Sequence, residues 1–149
     1  MHADLIVFAK DYPEVRLLAE VKLEDLAAPD LAMTLKQVAH YMWGANCHHG
    51  FIFTPKTTYV LRDDFLSQGP ESIHVSATLS TEKLLGRMST GSATASERQL
   101  EGRVHDWLEQ LATSYEAALP DDPETASVLF PEIVSAVADG RVVAEAAVR

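Results

Sequence analysis

Between residues 15 and 23 the chain alternates with a period of two. Val15, Leu17, Ala19, Val21 and Leu23 fall on one side of an extended strand, and Arg16, Leu18, Glu20 and Lys22 on the other. A strand of this kind has an apolar side that must be covered, so it belongs in a sheet packed against a second layer. An earlier apolar run, Asp4-Leu5-Ile6-Val7-Phe8, is separated from it by Lys10-Asp11-Tyr12-Pro13-Glu14, where Pro and Asp favour a turn. The two runs predict an antiparallel hairpin with Asp4 near the end that holds Glu20 and Lys22. Those two residues sit side by side on one face. An acid and a lysine buried together cost desolvation energy unless something compensates.

Beyond the hairpin, residues 23–28 form a connector. Asp30 can N-cap a helix running to about Gly44, with Pro29 just outside it and Leu31, Leu35, Val38 and Met42 as its apolar stripe. Two strands follow, at 49–54 and 58–62, around Pro55-Lys56-Thr57. Ile73, Val75, Ala77 and Leu79 alternate with His74, Ser76 and Thr78 and predict another half-buried strand; a short helical piece spans about 82–88. Ser89-Thr90-Gly91-Ser92-Ala93 is the best linker candidate, and Thr94 to Glu97 has capping-box spacing. The helix after it presents Leu100, Val104, Leu108, Leu111 and Tyr115 and is stopped by Pro120-Asp121-Asp122-Pro123. A shorter helix runs from about Pro131 to Gly140, and residues 141–148 are a strand or a frayed tail.

The length, 149 residues, suits one domain with a real core. No apolar run reaches membrane-spanning length, and the start lacks a basic region followed by a long apolar one. Cys47 is the single cysteine and cannot close an internal disulfide. Together these features predict a cytoplasmic protein with no membrane association. The formal charge of −10 opposes tight, free-standing binding to nucleic acid, where affinity comes largely from phosphate neutralisation. The acidity is uneven: residues 1–66 hold six basic and nine acidic residues, and residues 67–149 hold six and thirteen.

An acid opening one strand (Asp4), Glu-x-Lys on the next (Glu20-Val21-Lys22) and Gln-x-x-x-Tyr on the helix after it (Gln37, Tyr41) resembles the PD-(D/E)xK nuclease superfamily, in its RecB-type branch. The resemblance covers about the first third of the chain; Ala3 stands where the family name has proline. It implies an α+β (α/β) fold with a restriction endonuclease-like core, a mixed central sheet flanked by helices. The family core runs helix, three antiparallel strands, helix, further strand. Here the first core helix is absent and the C-terminus carries extra helices. The expected organisation is a core over 1–88 and a helical extension over 89–149 packed on it, a single domain overall. The long helix after Ser96 is expected to cover the sheet face that the first helix would cover, unless a second subunit does so. A homodimer or a protein partner is expected on that ground.

The activity implied is metal-dependent hydrolysis of nucleic-acid phosphodiester bonds, with DNA as substrate. Asp4, Glu20 and Lys22 are then the catalytic residues. Asp4, Glu20 and the carbonyl of Val21 hold Mg²⁺ or Mn²⁺, an oxygen donor set suited to a hard cation. Gln37 and Tyr41, neighbours at i and i+4, position substrate. Two other functions compete: a PD-(D/E)xK-like module that has lost or weakened catalysis and serves as an interaction or assembly domain, and an unrelated α+β ligand-binding domain. Among other sites, Cys47-His48-His49 with His40 invites a zinc reading, but adjacent residues wrap one tetrahedral ion poorly; a turn with exposed histidines is the simpler expectation. His74, Ser76 and Thr78 predict a solvated strand face, and His105 and Trp107 predict packing.

Overall fold

A computed structural model describes residues 3–11, 13–86 and 97–144. Its centre is a six-stranded mixed sheet. The strands are β1 (Leu5–Phe8), β2 (Val15–Val21), β3 (His49–Phe53), β4 (Thr57–Asp63), β5 (Ile73–Ser80) and β6 (Arg141–Ala144), in spatial order β5-β4-β3-β2-β1-β6. The predicted hairpin forms, with Leu5 opposite Ala19 and Val7 opposite Leu17. β2 and β3 are parallel, and a parallel pair needs a crossover. Helix α1 (Ala28–Gly44) provides it. The other neighbours, β3–β4, β4–β5 and β1–β6, are antiparallel.

Period-two alternation splits the sheet into two cores. Leu5, Val7, Leu17, Ala19, Val21, Phe51, Phe53 and Val60 face one layer of helices. Ile6, Leu18, Ile52 and Leu61 face α1. The alternation expected over 15–23 holds from 17 to 21 only. A bulge between Val7 and Phe8 sets Phe8 opposite Val15, so Val15 packs toward α1, and Leu23 leaves the strand and is exposed.

α1 starts three residues earlier than expected, with Ala27 in place of Asp30 at its N-cap. Pro29 lies in its first turn, where the missing N–H is harmless, and Asp30 is in that turn without capping it. The buried stripe is Thr34, Val38, Ala39 and Met42, rotated from the one read off Leu31 and Leu35. A Cβ at Gly50 would come within 2.7 Å of Met42 Sδ, so glycine lets α1 press closely onto β3.

The opposite layer holds α2 (Thr81–Leu85), α3 (Glu97–Thr113), α4 (Tyr115–Ala118), α5 (Pro123–Leu129) and α6 (Glu132–Val137). Leu100, Val104, Trp107, Leu108 and Leu111 of α3 cover Leu17, Ala19 and Val21, all three fully buried. The long helix after Ser96 was expected to cover this face, and it does, so the apolar strand surface on which a homodimer or protein partner was expected is covered within the chain. Trp107, read as a packing residue, is the centre of this core. Its ring meets Phe51 and Phe53 edge-on at 5.9 and 6.2 Å, and its Nε1–H donates to Ala118 O at 3.1 Å. α5 was not anticipated; Asp122 caps it by accepting from the Thr125 N–H at 3.1 Å, with Pro123 following. The strand-or-tail segment after Gly140 begins as a strand, β6, paired along all of β1. The linker candidate at 89–93, the capping residue Thr94, the end of the 82–88 helical piece and Tyr12 of the hairpin turn lie outside the described residues. No helix among the described residues is long and apolar enough to cross a membrane.

Candidate functional site

The site begins where β1 meets β2. The Asp4 N–H donates to Ala19 O at 3.1 Å, and the Val21 N–H donates to Asp4 Oδ2 at 2.7 Å. The Asp4 carboxylate is thereby held at the backbone of the residue between Glu20 and Lys22. In an extended strand the N–H and C=O of one residue point to the same side. The Val21 carbonyl therefore also faces the Asp4 side, while the Lys22 N–H turns the other way and donates to Phe53 O at 2.8 Å.

Glu20 is two residues beyond Leu18 and so projects toward α1. It is 8 % exposed, and its Oε1 lies 3.4 Å from Lys22 Nζ. With Ala3, Leu18, Val38 and Tyr41 it lines a cavity of about 10 Å³, room for no more than one water molecule. Val38 and Tyr41 stand one turn apart on α1, so the helix both seals Glu20 from solvent and brings a tyrosine beside it. Lys22 is half-buried, one flank toward the carboxylate and the other toward solvent.

Gln37 is exposed. It lines a shallow hollow of about 430 Å³ on the outside of α1 together with Lys36, His40 and Tyr41. Tyr41 is common to this hollow and the Glu20 cavity; Gln37 reaches only the hollow. The structure thus gathers Asp4, Glu20, Val21, Lys22 and Tyr41 around the end of β2 and leaves Gln37 one turn outward.

The remaining candidates resolve by their contacts. Cys47 is buried and its thiol donates to His49 O at 3.2 Å; burial pushes its pKa up to about 12, the opposite of what a thiolate ligand needs. His48 and His49 are half-buried, not exposed. His48 meets the Phe65 ring edge-on at 4.8 Å, and His49 Nε2 lies 3.8 Å from Glu132. Burial holds the His49 pKa below its ordinary value, against the opposing pull of Glu132. His74, Ser76 and Thr78 are exposed; Ser76 Oγ donates to Val60 O at 3.3 Å and His74 pairs with Asp64 at 3.2 Å, which leaves no serine–histidine relay. The sequence reading missed one grouping. His105 lies between Asp106 and Glu109, at 3.7 and 3.6 Å, on the outside of α3, the one described cluster of three His, Cys, Asp or Glu side chains whose donor atoms come close enough to share an ion. Its signal was the His-x-x-x-Glu spacing, one helical turn. It flanks a cleft of about 780 Å³ between the C-terminal half of α3 and the start of β6.

No family model matches the chain, and neither the curated proteins nor the solved structures contain a match to it.

Proposed function

We propose that this protein is a metal-dependent nuclease of the PD-(D/E)xK type that hydrolyses phosphodiester bonds in DNA. One observation carries the reading: the Asp4 carboxylate is hydrogen-bonded to the backbone between Glu20 and Lys22, whose side chains are 3.4 Å apart. The sheet order supports it. β6, β1 and β2 are three antiparallel neighbours in space, α1 follows β2, and β3 lies parallel beside it; the spatial arrangement resembles the family core, but only two strands precede α1, the third place being taken by β6 from the C-terminal end of the chain.

The donor set fits a hard divalent cation. Asp4 and Glu20 supply carboxylate oxygens, the Val21 carbonyl faces the Asp4 side, and Mg²⁺ typically takes one or two protein carboxylates with water completing its shell. A cation bound there lowers the pKa of coordinated water and offsets charge on the scissile phosphate. Lys22 would orient a water against the phosphate, its amine standing 3.4 Å from the buried Glu20 and partly open to solvent. Tyr41, at the wall of the Glu20 cavity, and Gln37, one turn outward, position the strand.

The closure of the Glu20 cavity to about 10 Å³ favours a second reading, a module that has kept the site's shape and serves assembly without catalysis. One experiment separates the two. Plasmid and single-stranded DNA are incubated with the protein in Mg²⁺ or Mn²⁺, beside Glu20→Ala. Metal-dependent cutting that Glu20→Ala abolishes is the expected result. Uncut DNA under both metals, or equal cutting by the variant, overturns the nuclease reading.

A further inference from the structure

α1 carries no acidic residue from 31 to 44, in a chain with 22 of them. Its outer side presents Lys36, Gln37, His40 and Tyr41 to the hollow described above. Lys36 and His40 also form the rim of a second, larger depression, a groove of about 500 Å³ between α1 and β5. The walls of this groove are apolar: Leu35 and Ala39 from α1, Leu61 from β4, Ile73 and Val75 from β5. Glu71 and His74, both exposed, also line the groove, the latter paired to Asp64 at 3.2 Å. The three depressions are neighbours that share lining residues. Tyr41 links the Glu20 cavity to the hollow, and Lys36 and His40 link the hollow to the groove.

We propose that the groove between α1 and β5 is a subsite for one unpaired nucleotide of a single-stranded nucleic acid. Its base lies against Leu35, Ala39 and Ile73, and its phosphate lies on Lys36 and His40. The inference rests on the nuclease reading, and it names the form of the substrate. The groove takes a flat apolar body next to an anion, which is what an unstacked nucleotide offers. Its size lies in the range of sites that enclose small molecules. Lys36 supplies the positive charge, and His40 supplies an N–H donor in either protonation form. Glu71 and His74, both exposed beside the groove, meet the polar edge of the base. A duplex keeps its bases stacked and paired inside, so it cannot fill the groove without flipping one out. A strand seated this way runs past Gln37 and Tyr41 toward Lys22, which gives the exposed Gln37 a place along the path.

The test is fluorescence anisotropy with an end-labelled oligonucleotide, single-stranded or as a blunt duplex, in EDTA so that nothing is cut. Wild type is compared with Lys36→Glu, with Lys83→Glu as the same charge change on α2 in the opposite layer, with Val75→Trp, which fills the groove from the edge strand, and with Glu20→Ala. Lys36→Glu and Val75→Trp are each expected to weaken single-strand binding about tenfold or more, Lys83→Glu less than twofold, and duplex binding is expected to be weaker than single-strand binding from the start. Should Val75→Trp fail to fold by its melting curve, the Lys36→Glu and Lys83→Glu pair decides. Equal loss in those two, or no loss in Lys36→Glu, overturns the subsite. Intact Glu20-dependent cutting with indifferent Lys36 and Val75 variants sinks the subsite alone. Single-strand binding that depends on Lys36 and Val75, with no metal-dependent cutting, sinks the nuclease reading alone.

Discussion

Replacing Lys22 with methionine separates a functional carboxylate site from an ordinary ion pair. Methionine keeps most of the apolar stem and removes the ammonium 3.4 Å from Glu20 Oε1. The two partners are unequally buried: the Glu20 side chain is 10 % exposed and that of Lys22 is 32 %. Removing one partner of a fully buried pair costs about 3–5 kcal/mol, because the other charge stays desolvated. An exposed pair contributes about 0–1 kcal/mol. The charge left behind is the deeper of the two, while the one removed already interacted with water. The expected loss therefore lies between these limits, about 2 kcal/mol, or roughly 4–8 °C in melting temperature for a chain of this length. That is the result in EDTA.

Divalent cation should then return what the mutation removed. A ligand at a hundred times its dissociation constant adds about 2.7 kcal/mol to the folded state, and in Lys22→Met the cation takes over compensation of Glu20. Urea and thermal unfolding of wild type and Lys22→Met, each in EDTA and across a Mg²⁺ titration, should show the variant gaining more than wild type. Two results refute the reasoning. A variant within about 0.5 kcal/mol of wild type in EDTA means the pair contributes no more than a surface contact. Unfolding midpoints indifferent to Mg²⁺ and Mn²⁺ in both proteins mean that no cation binds the Asp4–Glu20 end of β2.

Three further outcomes are expected. Trp107→Ala should lose about 3–5 kcal/mol in urea, with the whole chain unfolding in one transition because this ring joins α3 to β3; a loss under 1 kcal/mol, or separate transitions, contradicts that. His49 has a folded pKa below its unfolded value, so the unfolded chain binds more protons and stability falls as pH drops through and below the ordinary histidine range; His49→Asn should flatten that part of the profile, and an NMR titration of His49 with its midpoint above the ordinary value would contradict the sign. Gly140→Ala should cost about 1–3 kcal/mol, since its Cβ would come within 2.7 Å of Val7 Cγ1 and 2.9 Å of two backbone oxygens, Phe8 O and Val137 O, which cannot swing aside; unchanged stability would mean that β6 is not seated as described.

The candidate site was legible in the sequence where it rests on short-range geometry. A short turn fixes the hairpin, and the hairpin fixes which end of β1 meets Glu20 and Lys22. The i, i+4 rule predicted that Gln37 and Tyr41 share a side of α1, and they do share a hollow. It could not say how that side is turned toward β2. The rotation is set by Thr34, Val38, Ala39 and Met42 packing on the sheet, and it leaves Tyr41 at the Glu20 cavity and Gln37 in solvent. The C-terminal strand was ambiguous for a different reason. Arg141-Val142-Val143-Ala144 has no period-two pattern, and its strand character comes from pairing with β1, more than 130 residues earlier in the chain. Likewise Asp122 and Pro123 were read as a stop for one helix. They are also the cap and first turn of the next, α5, a signal that was present and was given only one of its two meanings.

The topology also changes what the net charge of −10 means. Residues 97–139 hold ten acids against two basic residues, and the helices α3 to α6 in that stretch lie on the face of the sheet opposite α1. Packed layers are roughly 10 Å apart, so most of this charge is about 20 Å from the outer side of α1. The Debye length at physiological salt is about 8 Å, and charges on the far layer are strongly screened there. The acids near α1 are few and local: Asp30 in its first turn, Asp4 and Glu20 in the site, Asp64 paired with His74, and Glu71 lining the groove. Between them lies the acid-free stretch with Lys36 and His40. The objection that an acidic chain repels nucleic acid applies to the α3–α6 face. It carries little weight for the α1 face, and the consequence is measurable: Lys36→Glu should reduce single-strand affinity far more than the same charge change made on α3, at Arg103→Glu.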